Sequence, residues 1–331
     1  MLLSAVSLGL VLAGDPVQLS PEEQRAWDRI GQSCVVLQSG GFPTGTAILL
    51  DRSGHFMAHR SVVLSDRVEA TLRSGKKVSL RLIFTDEPTQ LSLLAADKWD
   101  EPGMAPVTVT DGAGLVGRPM LAALPTGPVR GEFVSTDRVG VVQPSKRYVP
   151  LSEIRFETPG QRFGGAMVFG FDGRLAGVLS ATLKETSGEA DLSIGRPLTA
   201  GTIDDIARAQ ASRFGPSSMT VGYSLGPEIL IRVVEGFRSP SQRPIHPSIG
   251  CFFKDILGVG IQIEVVMPNS PAAVGGMQVG DVIVKAGDQT INTSQDLAVF
   301  LFRQKPGTSI TLLARRNGMG ITLPIVVGRA D

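Results

Sequence analysis

The sequence predicts a mainly β protein built from two domains. Its 331 residues are enough for two domains of ordinary size. The 39 glycines and 22 prolines fall between short runs rich in valine and leucine, a pattern typical of many strands joined by turns. A hydrophobic fraction of 42% with a charged fraction of 19% indicates a globular chain and argues against disorder.

Residues 1–18 predict a signal peptide. Residues 2–13 are apolar and are followed by small residues and Asp15, the form of an export signal and its cleavage site. No basic residue precedes the apolar stretch, so a buried N-terminal strand and a misassigned start codon remain alternatives. We expect an exported protein of the periplasm or cell envelope. No later run approaches the ~20 apolar residues of a membrane-spanning helix, so no integral membrane span is predicted.

A helix followed by many strands is predicted for the first domain, residues 19–211. Ser20 can cap a helix from Pro21 to about Ile30, with Glu23 placed to reach back to the cap. Turn signals such as DRSG and RSGKK separate the predicted strands, which are CVVLQ, TAILLD, VEATL, VSLRLIF, APVTV, PMLAALP, GEFVS, GVVQ, AMVFGF and LAGVLSA. So many short strands indicate a barrel or a sandwich. The segment TIDDIARAQ, near residues 202–210, predicts a helix that closes this domain.

Residues 212–247 are interpreted as a linker with two possible extra strands, MTVGYSL and ILIRVVEG, before the proline-rich RSPSQRPIHPS. Residues 248–329 then form a compact domain in which CFFKD, IQIEVVMP, DVIVKAGD and SITLLARR are predicted strands. Thr293 and Asp296 can cap a helix through LAVFLFRQ. The second domain is therefore a small β domain with one groove-forming helix.

Charge and cysteine content exclude several kinds of partner and cofactor. The net charge is +1, from 32 basic and 31 acidic residues, and no long single-sign run occurs, so nucleic acid is not an expected partner. Cys34 and Cys251 belong to no CxxC pair, and His55 and His59 have no HExxH motif or acidic cluster beside them. We predict no metal site and no cofactor, and we interpret His246 as a linker residue.

Two motifs in the first domain resemble the HtrA family of trypsin-like serine proteases. Residues 45–63, GTAILLDRSGHFMAHRSVV, resemble the family's first β-hairpin, which ends in Thr-Asn-Asn-His-Val-Val, and Ser61 takes the place of the catalytic histidine. The segment FTDEPTQLSLL resembles the strand in which the catalytic aspartate precedes Leu-Ala-Leu-Leu. Gln90 takes that place, and Asp86 matches only a non-catalytic acid upstream.

A third motif completes the resemblance to a trypsin-like double β-barrel. The segment PGQRFGGAMVFGFDGRLAGV resembles the family's Gly-Asn-Ser-Gly-Gly-Pro-Leu, with Gly164-Gly165 kept and Phe163 at the place of the nucleophilic serine. One extra residue lies between Gly160 and Gly164, so the alignment of Phe163 can slip by one position. No serine occurs between Ser152 and Ser180, so the nucleophile is absent in either alignment.

The second domain resembles a bacterial PDZ domain along nearly its whole length. The resemblance implies that Ile249-Gly250-Cys251-Phe252 receive the terminal carboxylate of a peptide, which adds as a strand near Cys251–Asp255. We predict a peptide groove formed by eight residues: Ile249, Gly250, Cys251, Phe252, Phe253, Leu297, Phe300 and Leu301. Its hydrophobic lining predicts a preference for an apolar C-terminal residue.

The chemistry of the three replaced positions predicts a pseudoprotease. Acyl transfer by a serine protease needs a hydroxyl nucleophile, an imidazole base and an orienting carboxylate, and phenylalanine, serine and glutamine supply none of these roles at the replaced positions. We expect a noncatalytic protein that binds polypeptides or protein C-termini as an adaptor or chaperone-like factor. Two alternatives remain: a serine endopeptidase with a rearranged or partner-supplied centre, and a structural module that forms a homo-oligomer.

Overall fold

The computed structural model describes residues 18–142, 147–156, 164–184 and 220–330. Within them, two closed six-stranded β-barrels are followed by a smaller β domain. We call the two barrels together the barrel domain and the smaller unit the C-terminal domain. The mainly β prediction is confirmed. The predicted signal peptide, the predicted helix at 202–210 and Phe163 lie outside the described residues.

Helix α1, Pro21–Ile30, begins where the sequence predicts. Ser20 accepts a hydrogen bond from the backbone N–H of Glu23, and the Glu23 carboxylate accepts one from the backbone of Ser20. This reciprocal capping box satisfies backbone donors that a helix leaves unpaired at its start. Glu23 also pairs with Arg130 of the second barrel. Hydrogen bonding by Arg130 is the main reason that the pKa of Glu23 falls to about 2.

The first barrel has the strand order β1-β2-β3-β6-β5-β4. Its strands are β1 Cys34–Ser39, β2 Phe42–Leu49, β3 His55–His59, β4 Arg67–Thr71, β5 Lys77–Asp86 and β6 Leu91–Ala96. A 3₁₀ turn, Arg60–Val62, follows β3 directly. The barrel interior is filled by side chains that alternate along the strands, such as Val35, Leu37 and Phe56.

The second barrel has the order β10-β11-β12-β9-β8-β7. Its strands are β7 Pro119–Leu124, β8 Gly127–Val142, β9 Arg147–Phe156, β10 Met167–Gly170, β11 Leu175–Lys184 and β12 Thr220–Leu225. The predicted strand GEFVS and residues 140–142 of the predicted strand GVVQ are parts of one long strand, β8. The predicted strand APVTV is wrong, since only Val109 within it makes an isolated bridge, to Leu175.

Two features of residues 212–247 correct the sequence interpretation. Residues 220–225 of the possible strand MTVGYSL form β12, which lies between β11 and β9 as part of the closed barrel, so these residues do not belong to a linker. The possible strand ILIRVVEG is wrong, because it lies in helix α2, Pro227–Arg238. The helix starts at a proline in its first turn and buries one face, formed by Ile229, Leu230, Val233, Val234 and Phe237.

The segment between α2 and the C-terminal domain, residues 239–246, is tied to the first barrel. The amide of Gln242 lies 3.0 Å from His55 Nε2. The guanidinium of Arg243 lies over the ring of Phe84 at 4.2 Å. His246 Nε2 lies 2.7 Å from the carboxylate of Asp86, and both side chains are buried. His246, predicted to be a plain linker residue, is therefore a packed part of the interface between the barrels and this segment.

The C-terminal domain is a β-sheet domain with two helices. Its main sheet has the order β14-β15-β16-β18-β19, with β17 added beside β16, and a separate pair joins β13 to β20. The strands are β13 Pro247–Ser248, β14 Cys251–Ile256, β15 Gly260–Val266, β16 Val282–Ala286, β17 Gln289–Thr290, β18 Ser309–Arg316, β19 Met319–Val326 and β20 Gly328–Arg329. The helices are α3, Pro271–Val274, and α4, Ser294–Arg303, which carries the predicted Thr293–Asp296 capping box.

Helix α4 packs on both domains. Leu297 and Leu301 belong to the core of the C-terminal domain, whereas Phe302 joins the core of the barrel domain. Arg232 of α2 donates from Nη1 to the carbonyl oxygen of Phe302 at 2.8 Å, at the end of α4. Among the described residues, no helix is both long and apolar enough to cross a membrane.

Candidate functional site

The first candidate site is the cleft where the sequence places the three replaced catalytic residues. Ser61 lies in the 3₁₀ turn after β3, and its hydroxyl is 2.8 Å from Nδ1 of His59. The same nitrogen accepts a hydrogen bond from the backbone N–H of Ser61 at 3.3 Å. Nδ1 is therefore the acceptor of the ring, and the Ser61 hydroxyl donates to it.

Burial makes His59 a weak base. The residue is only 3% exposed. Burial disfavours the charged imidazolium and lowers its pKa to about 4. General-base catalysis is most efficient when the pKa of the base lies near the working pH. A neutral His59 at pH 7 therefore accepts the Ser61 proton poorly and serves mainly to cap the 3₁₀ turn.

Gln90 stands at the place of the aspartate, and its side chain forms a hydrogen bond with Glu87 and none with Ser61. It has a positive φ of 57° just before β6, and its side-chain amide donates to the carbonyl oxygen of Glu87 at 2.9 Å. Its own carbonyl oxygen accepts from the backbone N–H of Arg60. Asp86 bonds to Thr89 and His246. The acid upstream of Gln90 is thus engaged with the segment that follows α2.

Gly165 brings the third motif against the first barrel. Its φ is +75°, a conformation that side chains disfavour. A Cβ atom at this position would lie 2.6 Å from Val62 Cγ1 and 3.3 Å from Ser61 Oγ. The glycine therefore lets the two loops pack closely. Phe163 lies outside the described residues, so its position at the nucleophile's place stays a prediction.

The side chains described in the cleft cap a turn, pack against one another and form hydrogen bonds with their neighbours. A hydrolytic mechanism would require the Ser61 hydroxyl as nucleophile and His59 Nδ1 as base. That pair is within hydrogen-bond reach, as such a mechanism needs. The low pKa of His59 opposes this use.

The second candidate site is a groove of about 750 Å³ at the end of the C-terminal domain. The β13–β14 region, the loop before α3, helix α4 and β20 surround it. Its lining residues are Tyr148, Pro247, Ser248, Ile249, Gly250, Cys251, Phe252, Phe253, Met267, Pro268, Asn269, Ser270, Pro271, Ala298, Leu301, Phe302, Arg329 and Ala330. Most of these are apolar, as expected for a pocket that binds an apolar group.

Six of the eight predicted groove residues lie along this groove. They are Ile249, Gly250, Cys251, Phe252, Phe253 and Leu301. Strand alternation divides them: Cys251 and Phe253 pack against the domain core, while Phe252 is 62% exposed and pairs with Val265 across the sheet. That these residues bind a peptide stays a prediction.

The predicted contributions of Leu297 and Phe300 are corrected by the structure. Leu297 is fully buried in the domain core, and Phe300 packs against that core without lining the groove. The lining residues of α4 are Ala298, Leu301 and Phe302, which share one face at spacings of three and four. The apolar run LAVFLF has apolar residues on two faces, so periodicity did not decide which face looks into the groove.

Two lining residues come from parts of the chain that the sequence did not connect with the groove. Tyr148 belongs to β9 of the barrel domain, and Arg329 belongs to β20. Neither stands in a recognisable peptide-binding motif. No feature of the sequence connects Arg329 with the groove.

Gly250 shapes the loop at the groove's end. Its φ is +71°, and a Cβ atom there would lie 2.4 Å from the Cβ of Ser270. The Gly250 N–H donates to the Ser248 hydroxyl at 3.2 Å. Burial raises the pKa of the neighbouring Cys251 thiol to about 12, so the groove presents an uncharged sulfur. In the described part of the chain, no group of three or more metal-ligating side chains occurs.

Sequence comparisons relate both domains to known proteins. The family described as PDZ domain matches residues 262–316. A "Probable periplasmic serine endoprotease DegP-like" of Halomonas elongata is 24% identical over 290 residues, covering 86% of this chain and 56% of that protein. A "Serine protease Do-like HtrA" of Lactococcus lactis subsp. cremoris is 22% identical, covering 86% and 71%. The chain spans little more than half the length of the DegP-like relatives that it matches.

Solved structures share the fold. An "HtrA-type protease AlgW with decapeptide" aligns with a TM-score of 0.60 at 18% identity, covering 93% of this chain and 99% of that one. A serine endoprotease from Yersinia pestis aligns with a TM-score of 0.58 at 18% identity, covering 95% and 100%. These similarities extend over both barrels and the C-terminal domain together.

Proposed function

Since the chain is an HtrA/DegP-type protein with a trypsin-like domain and a PDZ domain, we propose that it binds polypeptide C-termini and does not hydrolyse them. One observation carries this proposal. At the two described triad positions, Ser61 and Gln90 bond to His59 and Glu87, while an open apolar groove lies in the PDZ domain. The binding function is placed in the groove, and the cleft is assigned a structural role.

The proposed ligand is an extended peptide end that adds to β14. Backbone hydrogen bonds to an added strand give affinity, and side-chain pockets give sequence preference. The lining of the groove includes Cys251, Ala298 and Leu301, so it suits an apolar last residue. The fold is shared with an HtrA-type protease solved with a decapeptide, which supports the proposal that a peptide binds to this fold.

Binding is tested by fluorescence anisotropy with labelled decapeptides that end in different apolar residues, titrated with the full chain. Saturable binding that weakens when the last residue is changed to aspartate is expected. The absence of saturable binding to every peptide contradicts the proposed function.

Hydrolysis is tested with casein and a peptide library, using the wild-type chain, Phe163→Ala and Ser61→Ala. We expect background cleavage from all three, since loss of a whole triad costs about 10⁶-fold in turnover in subtilisin. A covalent serine-hydrolase probe checks the same point independently. Turnover that copurifies with the chain and disappears in Ser61→Ala contradicts the noncatalytic role.

A rearranged hydrolase is the second candidate, and the 2.8 Å contact between Ser61 Oγ and His59 Nδ1 favours it. In that case Ser61 would become labelled by the covalent probe, and His59→Asn would prevent labelling. The low pKa of His59 makes this the weaker candidate.

We also propose an exported location, in the periplasm or cell envelope, and a capacity to form homo-oligomers. The first is supported by relatives that are named periplasmic. Cell fractionation checks the location. Light scattering on the full chain, at concentrations around those used for peptide binding, checks the oligomeric state and separates a structural module from a peptide-binding one.

A further inference from the structure

A further pocket lies on the barrel domain, outside both the cleft and the groove. It has a volume of about 280 Å³ and lies where β8, β9 and the start of α2 meet the end of α4. Its lining residues are Asp111, Gly112, Leu115, Thr136, Asp137, Pro150, Leu151, Ser152, Gly226, Pro227, Glu228 and Arg303. None of the lining residues described for the groove is among them. We call this site the acidic pocket.

The lining of the acidic pocket carries more negative than positive charge. The carboxylates of Asp111, Asp137 and Glu228 line it together with the guanidinium of Arg303. Nε of Arg303 lies 3.2 Å from Oε1 of Glu228, so these two charges offset each other. Asp111 accepts a hydrogen bond from the backbone N–H of Ala113, and neither it nor Asp137 forms an ion pair with a described residue. The positive end of α2 contributes about half a charge, too little to offset two carboxylates.

A buried hydroxyl without a partner is a second, independent indication of a ligand. Ser152 of β9 lines the pocket and is 3% exposed. Its hydroxyl forms no hydrogen bond with a described residue. A Cβ atom at Gly226, the cap of α2, would lie 3.4 Å from Ser152 Oγ, so the hydroxyl faces the helix start that borders the pocket. Buried polar groups are rarely left without a partner, and a hydrogen-bond donor on a ligand would supply one.

The lining restricts the kind of cation. Among the described residues, no group of three or more metal-ligating side chains occurs, so the carboxylates do not form a site for a single metal ion. The described lining contains no aromatic ring of the kind that binds quaternary ammonium groups. Leu115, Pro150 and Leu151 instead provide apolar walls for a methylene chain. Pockets for drug-sized ligands have volumes of about 300–1,000 Å³, so this one suits a single side chain or a short amine.

We propose that the acidic pocket binds a primary alkylammonium group, with Asp111 and Asp137 as its counter-ions and the Ser152 hydroxyl as a hydrogen-bond acceptor. A primary ammonium group donates three hydrogen bonds and accepts none, which matches a site of carboxylate and hydroxyl oxygens. A lysine side chain of a polypeptide and a free diamine both carry this group on a methylene chain. Arg303 is the pocket's own cation, and it competes with the ligand through Glu228.

The test is equilibrium dialysis of the full chain with radiolabelled cadaverine, a five-carbon diamine, at low and high salt. Saturable uptake that weakens at high salt is expected, because the carboxylates are exposed. Pentanediol, an uncharged analogue with the same chain length, should not compete with cadaverine. The amide of acetylated lysine is the second competitor. Displacement of cadaverine by it assigns the site to lysine side chains, and uptake of cadaverine without displacement assigns it to free diamines.

Two substitutions should change the affinity for cadaverine in opposite directions. Asp137→Asn removes a counter-ion and should weaken binding up to about fivefold, the upper range for an exposed ion pair. Arg303→Gln removes the competing cation and should strengthen binding by a similar factor, a gain that damage to the fold would not produce. Asp100→Asn is the matched control, because Asp100 is an exposed aspartate of the barrel domain outside the pocket. It should leave the affinity unchanged.

The absence of saturable uptake of both amines overturns the proposal, and so does an equal loss of affinity in Asp137→Asn and Asp100→Asn. Neither result bears on peptide binding in the groove, because the anisotropy titrations with apolar decapeptides test that site separately.

Discussion

The cleft of the barrel domain and the groove of the PDZ domain share one structural feature but differ in the bonding of their polar side chains. Each contains a glycine at positive φ that lets two loops touch: Gly165 against Val62, and Gly250 against Ser270. In the cleft, the described polar side chains find partners inside the domain. In the groove, Arg329 has none among the described residues. The two sites therefore differ in what their described polar side chains contact, and the groove is the one that leaves a charged side chain exposed to solvent.

The largest expected effect comes from breaking the packing of the cleft. In Gly165→Ala the new methyl group meets Val62 in a conformation that alanine disfavours, and the two costs together amount to about 3 kcal/mol of unfolding free energy. Gly117→Ala is the control, because Gly117 also has positive φ but has no atom within 4 Å of the added carbon, and it should cost about 1 kcal/mol. Urea denaturation measures both, and equal losses would show that the cleft is loosely packed.

The second expected effect is a loss of stability at low pH that arises from His59 in the cleft. His59 has a pKa of about 4 in the folded chain, against a usual value of 6.5. The unfolded chain therefore binds the proton more readily, and stability is complete above pH 6.5 and declines as the pH falls towards 4. Between pH 7 and pH 5 the contribution of this residue amounts to about 2 kcal/mol.

Urea denaturation at pH 7 and pH 5 checks this expectation. His59→Asn should remove the contribution, so that its stability changes about 2 kcal/mol less than that of the wild type between the two pH values. His55→Asn should keep it, since His59 is intact. An unchanged pH dependence in His59→Asn would mean that water reaches the imidazole.

The smallest expected effect sharpens the geometry of the groove. Ala298→Phe places a ring in the space that the peptide's last side chain is proposed to occupy, and we expect the affinity for an apolar C-terminal peptide to fall at least tenfold, about 1.4 kcal/mol. Phe300→Ala, at a position first predicted to line the groove, should leave the affinity unchanged. The reverse result in anisotropy titrations would restore the original assignment of the helix face.

Local signals were predictable from the sequence, and contacts between distant segments were not. The caps of α1 and α4 were found because Ser20 with Glu23, and Thr293 with Asp296, act within one helical turn. The apolar run ILIRVVEG was misinterpreted because such a run suits both a buried strand and a helix, and the decisive signal was the proline at the start of α2.

The same distinction between local signals and distant contacts applies to the candidate sites. Ser61 and Gln90 were found by motif, and their positions relative to β3 and β6 follow from the hairpins that contain them. The contact of Gln242 with His55, and the arrival of Tyr148 and Arg329 at the groove, depend on how whole domains pack. The spacing of residues along one strand or helix carries no information on such contacts.

The pairing of Asp86 with His246 spans 160 residues, and that of His55 with Gln242 spans 187. The strands of the first barrel all lie before residue 97, so that barrel can close before these two contacts form. The segment 239–246 follows the second barrel and α2 in the sequence. We therefore expect this segment to dock last and to complete the barrel domain when the chain folds.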